Sequence, residues 1–164
     1  MLTREILRSW RSPRAAMRRQ LAHGVREDRA LMLLMLACAV IFVAQWPRLA
    51  REAHLDPSVP LEARLGAALL GLMFLAPLAL YLLAAASHLA ARAFGGRGSF
   101  GAARLALFWS LLCVTPALLL HGLAQGMAGP VPATRILGWG VLAVFLLIWF
   151  LSLLEAEQAP PVAA

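Results

Sequence analysis

Residues 105–128 read LALFWSLLCVTPALLLHGLAQGMA, an unbroken stretch with no charged side chain. A membrane-spanning helix needs about 20 predominantly apolar residues, within a range of roughly 17–25, and this stretch meets that requirement. Working outward from it, three more uncharged runs occupy residues 30–46, 65–91 and 136–154. The first is just long enough to span; the second is long enough to tilt or to let its ends leave the hydrocarbon. Hydrophobic residues make up 62% of the chain and charged residues 14%, against roughly 45–50% and 25% in soluble domains. A soluble fold of 164 residues has no interior large enough to hide that much apolar surface. Intrinsic disorder is excluded for the same reason. The expected fold class is all-α, an integral membrane four-helix transmembrane bundle with a short amphipathic N-terminal helix. A basic segment, 1–29, precedes the transmembrane domain at 30–154, and a short disordered tail, 155–164, follows it.

The first span is read as a retained helix. Ala37-Cys38-Ala39 resembles a signal cleavage motif, but it lies in mid-run with Ile41, Phe42 and Val43 still to come. The segment ahead of the run is also too long and too polar for a signal n-region.

Topology follows from charge. All basic residues are arginine, for a formal net charge of +7. Arg4, Arg8, Arg11, Arg14, Arg18, Arg19, Arg26 and Arg29 precede the first span, and Arg92, Arg97 and Arg104 lie between spans two and three. The opposite side receives only Arg48, Arg51, Arg64 and Arg135, with Glu52, Asp56 and Glu62 against them. The positive-inside rule then places both termini in the cytoplasm. The same rule accounts for the basic pI without nucleic acid as a partner. An arginine-only, asparagine-free, alanine- and leucine-rich composition suits a GC-rich bacterial genome, and hence a bacterial inner membrane.

The 47–64 connection contains Pro47, Pro57 and Pro60, which bias it toward extended structure on the outer surface. Gly95-Gly96-Arg97-Gly98 reads as a tight turn between spans two and three. It lacks the preceding strand and following Gly-Lys-Ser/Thr of a phosphate loop.

At about 100° per residue, Leu2, Ile6 and Trp10 share one helical sector with Arg4, Arg8 and Arg11 opposite. Ser12-Pro13 then starts a second helical piece. The reading is an interfacial helix whose Trp10, Arg4, Arg8, Arg11, Arg14, Arg18 and Arg19 meet anionic headgroups at the cytoplasmic face or a protein partner.

His88 and His121 are the ionisable groups within the spans, and such groups are candidates for function. His88 lies about 6 Å from the inner end of its span and His121 roughly 25 Å from the same side, so the two cannot share a haem iron. Cys38 and Cys113 read as small apolar filler in no metal-ligand pattern. Pro77 and Pro116 are expected to kink spans two and three. Gly122 and Gly126 form a GxxxG spacing suited to close helix packing. The spans carry no carboxylate, and the chain shows no catalytic set or metal-ligand spacing, so no cofactor, no metal and no enzymatic activity are expected.

Several stretches together carry a family resemblance: Arg11-Ser12-Pro13-Arg14-Ala15-Ala16, Ala44-Gln45-Trp46-Pro47, Leu61-Glu62-Ala63-Arg64, and Gly95-Gly96-Arg97-Gly98-Ser99-Phe100 leading into Ala103-Arg104-Leu105-Ala106-Leu107 with Trp109 and Pro116. Over roughly residues 8–154 the chain resembles the bacterial branch of the Yip family (Ypt-interacting-protein, or Yip-one-domain, membrane proteins). The resemblance implies a polytopic helical bundle with a cytoplasmic N-terminus and no established enzymatic activity. Eukaryotic members are associated with vesicle traffic and Rab-type GTPases and usually have five spans. This sequence has four and lacks the aromatic, acidic and glycine-rich signature of their first helical region, so no GTPase-binding residue carries over. The expected function is a non-catalytic scaffold, assembly factor or accessory subunit with a membrane-protein partner or as a homo-oligomer. The rivals are a small-molecule or lipid transporter or channel component, and an anionic-lipid-binding surface protein.

Overall fold

The computed structural model describes residues 2–158, without the side chains of Leu2, Thr3, Arg4 and Leu7. Its helices are α1 (Leu2–Arg11), α2 (Pro13–Ala22), α3 (Glu27–Leu55), α4 (Leu61–Leu70), α5 (Ala76–Ala93), α6 (Phe100–Ala128) and α7 (Pro132–Gln158). A π-helical turn, Gly71–Leu75, joins α4 and α5 into one rod. Four segments are long and apolar enough to cross a membrane: α3, the α4–α5 rod, α6 and α7. No strand occurs among the described residues. This is the all-α, four-span architecture expected from the hydropathy, and the chain is a multi-pass membrane protein.

Helix α6 is the axis of the bundle. Its residues Leu105 to Ser110 and Leu112 to Thr115 are all buried, whereas α4 buries none of its residues. Helix α3 packs along one flank of α6 and α7 along another, with α5 on the side between them. One apolar cluster joins Leu33, Ala37, Leu105, Trp109, Cys113 and Ile148, and a second joins Ala30, Leu34, Cys38, Ala84 and Phe108. Both cysteines are free and buried, one in each cluster. Alternating direction brings the start of α3, the 94–99 turn and the end of α7 to one end of the bundle, here the near end.

Two local expectations change, and a third gains local detail. The 47–64 connection is not extended, because α3 continues through Pro47 to Leu55. The missing proline donor costs one bond, while Arg48 Nη1 reaches Glu52 Oε1 at 3.0 Å on the added turns. Only residues 56–60 remain as a turn. Asp56 Oδ1 accepts there from the Ser58 amide at 3.1 Å, and Arg64 Nη2 donates to Asp56 O at 3.2 Å. The tail expected from residue 155 is helical as far as Gln158; residues 159–164 lie outside the described residues. At Pro77 the rod widens ahead of the ring, with the Ala76 amide bonding Gly71 O in the i→i−5 pattern. That wider turn accommodates a residue with no N–H to give.

Candidate functional site

The densest buried polar group lies at the near end, and it is built around a carboxylate from the supposed tail. Glu157 is 7% exposed and His88 2% exposed. His88 Nδ1 stands 2.6 Å from Glu157 Oε1. The Gly98 amide donates to Glu157 Oε2 at 3.1 Å, and the Arg97 amide donates to Glu157 O at 2.9 Å. The glycine-rich turn therefore wraps the carboxylate. A Cβ on Gly96 would lie 2.7 Å from Glu157 Oε2, and one on Gly98 2.5 Å from Ala156 O. Gly95, at φ +88, makes the reversal that starts the wrap. Ser99 then caps α6, its Oγ accepting from the Ala102 amide at 3.2 Å, and Phe100 covers the His88 ring at 4.3 Å between centroids. This clasp ties α5, the 94–99 turn and α7 together. The depth read for His88 agrees with its place at the near end, whereas Glu157, assigned by sequence to a disordered tail, lies in the last turn of α7.

A second polar seam joins α3, α5 and α6. Tyr81 Oη donates to Glu27 Oε1 at 2.7 Å, and Arg104 Nη1 donates to Glu27 Oε2 at the same distance. The Arg104 guanidinium lies 5.6 Å above the Tyr81 ring. Glu27 so links the start of α3 to both α5 and α6.

The N-terminal segment folds as a helical pair whose apolar side is covered by the bundle. Ile6, Ala16 and Met17 are buried, and α2 packs on α7 while α1 packs on α6. Trp109 Nε1 donates to Ser9 Oγ at 3.2 Å, and Ser9 Oγ donates on to Glu5 O at 2.8 Å. Trp10 Nε1 donates to Cys113 O at 2.9 Å. That carbonyl lies in the turn loosened by Pro116. Pro116 has no N–H for Leu112 O, and the Thr115 hydroxyl takes its place at 2.8 Å. Trp10, read from sequence as facing lipid or a partner, remains 45% exposed while its indole N–H is held on α6. Trp10→Phe is expected to cost about 1 kcal/mol, measurable as lower thermal stability in detergent and faster proteolysis between α1 and α2.

The arginines of this segment point the other way. Arg8, Arg11, Arg14 and Arg18 are exposed and Arg19 is half-buried; the Arg4 side chain lies outside the described residues. Arg18 pairs with Glu155 at 3.0 Å, and Arg19 and Arg8 each reach Glu5 at 3.1 Å. Desolvation would raise the Glu5 pKa, but hydrogen bonds and charge from Arg19 and then Arg8 outweigh it and hold the carboxyl below its ordinary range. A depressed folded-state pKa stabilises above the unfolded value and ceases to do so as pH falls through the folded one. Loosening of α1 from α2 is therefore expected only in acid below the usual carboxylate range.

The two glycines of the GxxxG spacing lie against α3. A Cβ on Gly122 would meet Ala44 O at 1.8 Å, and one on Gly126 would meet the Pro47 Cβ at 2.3 Å. Beside them His121 Nε2 contacts Gln125 Nε2 at 3.1 Å, and His121 Nδ1 is buried without a partner. His121 forms a wall shared by two small cavities of about 250 and 340 Å³. At the far end Arg51 Nη1 donates to Met127 O at 3.3 Å, closing the C-terminus of α6 with a favourable charge. The structure does not bring His88 and His121 together, and no group of three metal-ligating side chains occurs among the described residues.

A family model described as the Yip1 domain matches residues 7–158. No curated protein and no solved structure matches. The match takes in the second half of α1, all of α2, all four spans and the Glu157 carboxylate of the clasp, and the chain therefore belongs to the Yip1 domain family of integral membrane proteins.

Proposed function

We propose that this protein is a non-catalytic scaffold or accessory subunit of a membrane complex, lying in a bacterial inner membrane with both termini in the cytoplasm. The orientation is supported by the arginine bias toward the near end. The observation that carries the functional reading is the two-sidedness of the α1–α2 pair. Its apolar side is anchored on α6 and α7, so Arg8, Arg11 and Arg14 are held outward on a fixed surface beside the membrane. A rigidly displayed basic surface recruits an acidic partner with little ordering cost on binding.

The test is extraction of a tagged copy from native membranes in mild detergent, with quantitative mass spectrometry of what accompanies it. A stoichiometric companion is expected, and Arg8→Gln/Arg11→Gln/Arg14→Gln is expected to reduce its recovery severalfold while leaving insertion intact. A chain recovered alone as a monomer overturns the proposal. The same arginines suit a second reading, a surface that holds anionic lipid; that reading predicts no companion but salt-dependent binding of the segment to anionic vesicles. The transporter reading rests on Pro77, Pro116 and the intramembrane histidines; the Thr115 hydroxyl, which occupies the Leu112 carbonyl that Pro116 leaves free, favours a static helix at Pro116.

A further inference from the structure

Helices α5 and α7 both lean on α6, and the His88–Glu157 clasp joins them at the near end. Beside that junction a groove of about 880 Å³ runs along the outside of the bundle. Its α5 wall is made of small residues, including Ala90 and Ala91, and its α7 wall of large ones, including Trp149, Phe150 and Leu153. The mismatch in side-chain size is what leaves the space. Its mouth is polar, bounded by Gly95, Gly96, Glu157 and Gln158.

We propose that this groove holds one anionic phospholipid from the near leaflet, its acyl chain along α7 and its phosphate at Arg92 and Arg97. Length comes first. The lining residues run along α7 from Leu146 to Gln158, roughly 18 Å at 1.5 Å per residue. One leaflet of a hydrocarbon core about 30 Å thick is about 15 Å. Width comes second. The volume spread over that length gives a mean section of about 50 Å², ample for an acyl chain lying lengthwise along α7. Charge decides the headgroup. Arg92 and Arg97 directly follow the lining residues Ala91 and Gly96, both are exposed, and among the described residues neither side chain makes a hydrogen bond or ion pair. Glu157, the one charged side chain among the lining residues, is already held by His88 and the Gly98 amide, and the two arginines beside the lining in sequence are the cations free to meet a phosphate. Phe94, 93% exposed between the two arginines, sits where an aromatic ring anchors at the headgroup boundary.

The full chain is reconstituted into nanodiscs of phosphatidylglycerol and phosphatidylcholine at a fixed ratio, and native mass spectrometry counts the lipid that stays with the released protein. One retained lipid per chain is expected, enriched in phosphatidylglycerol by about 25-fold over the bulk ratio, each arginine contributing about fivefold. Arg92→Gln/Arg97→Gln should bring the retained lipid to the bulk ratio without removing it. Ala90→Phe, which narrows the groove, should remove it. Retention at the bulk ratio by the unaltered chain overturns the proposal, as does unchanged retention in a folded Ala90→Phe chain. A dimer that Ala90→Phe dissolves would overturn it in favour of a second copy. If Ala90→Phe fails to fold, the double arginine variant, which touches no buried group, decides alone.

Discussion

Glu157→Ala is expected to destabilise the bundle by about 3–5 kcal/mol, the usual cost of removing one partner from a buried pair. The substitution leaves His88 buried with nothing at Nδ1 and the Gly98 amide without its acceptor. It also opens a void beneath the 94–99 turn. Reversible unfolding of the full chain in mixed detergent micelles measures the loss. Glu157→Gln keeps the acceptor oxygen and the shape, so it should retain more stability than Glu157→Ala. The diagnostic comparison is His88→Phe/Glu157→Leu. Removing both polar groups and filling the space should cost less than removing either alone, because no buried imidazole or carboxylate stays behind unpaired and only the Gly98 amide loses its partner. A Glu157→Ala chain within about 0.5 kcal/mol of the unaltered protein, the range of ordinary surface substitutions, would show that the clasp does not hold the near end together.

Gly122→Leu should be at least as damaging, for a steric reason. The Cβ alone would sit 1.8 Å from Ala44 O, and backbone of a packed helix cannot move aside as a flexible side chain can. Helix α3 must be driven away from α6 along the most extensive contact in the bundle. Overpacking costs typically 1–3 kcal/mol and occasionally more; with backbone as the obstacle, roughly 3 kcal/mol or above is expected. Gly126→Leu repeats the clash against Pro47 one turn on. Gly140→Ala is the matched control: nothing lies within 4 Å of its added Cβ, so the better helix former should be neutral or stabilising by about 0.5–1 kcal/mol. Gly122→Leu as stable as Gly140→Ala would show that the crossing does not depend on the close approach at Gly122. Thermal unfolding in one detergent separates the two.

The number and placement of the spans were legible because lipid leaves the backbone almost no alternative. Every amide and carbonyl must be satisfied within the segment, so a long uncharged run can only be a helix. The glycines at 122 and 126 could be read as a packing face, but their partner could not, since a GxxxG spacing carries no information about which helix crosses it. The helix ends were read too short. Arg48, Arg51, Glu52 and Glu155 interrupt the uncharged runs without interrupting the helices, because hydropathy marks the edge of the hydrocarbon and not the end of hydrogen bonding.

The candidate site was the least legible part. Glu157 precedes Ala159-Pro160-Pro161 by two residues, which by composition reads as a chain end. Its partner His88 is 69 residues away, and no local pattern pairs them. The one available signal was Gly95-Gly96-Arg97-Gly98: three glycines in four residues imply a close approach by something, and the approaching group is the carboxylate of α7. The amphipathic face of α1 was legible in the same limited way. Periodicity establishes that Ile6 and Trp10 are covered on one side, yet lipid and protein are equally apolar covers, so only packing identifies α6 as the cover.

By itself, then, the sequence determined what the solvent enforces: four helices in lipid, their alternation, the side that carries the arginines and the two-sided N-terminal segment. The tertiary structure decided what distant side chains enforce on one another: the burial of Glu157 against His88, the docking of the Trp10 indole N–H on the Cys113 carbonyl, and the crossing of α3 over Gly122. The bilayer acts on each segment separately and so leaves its mark in local composition, whereas these contacts exist only once α6 has gathered the other helices around it.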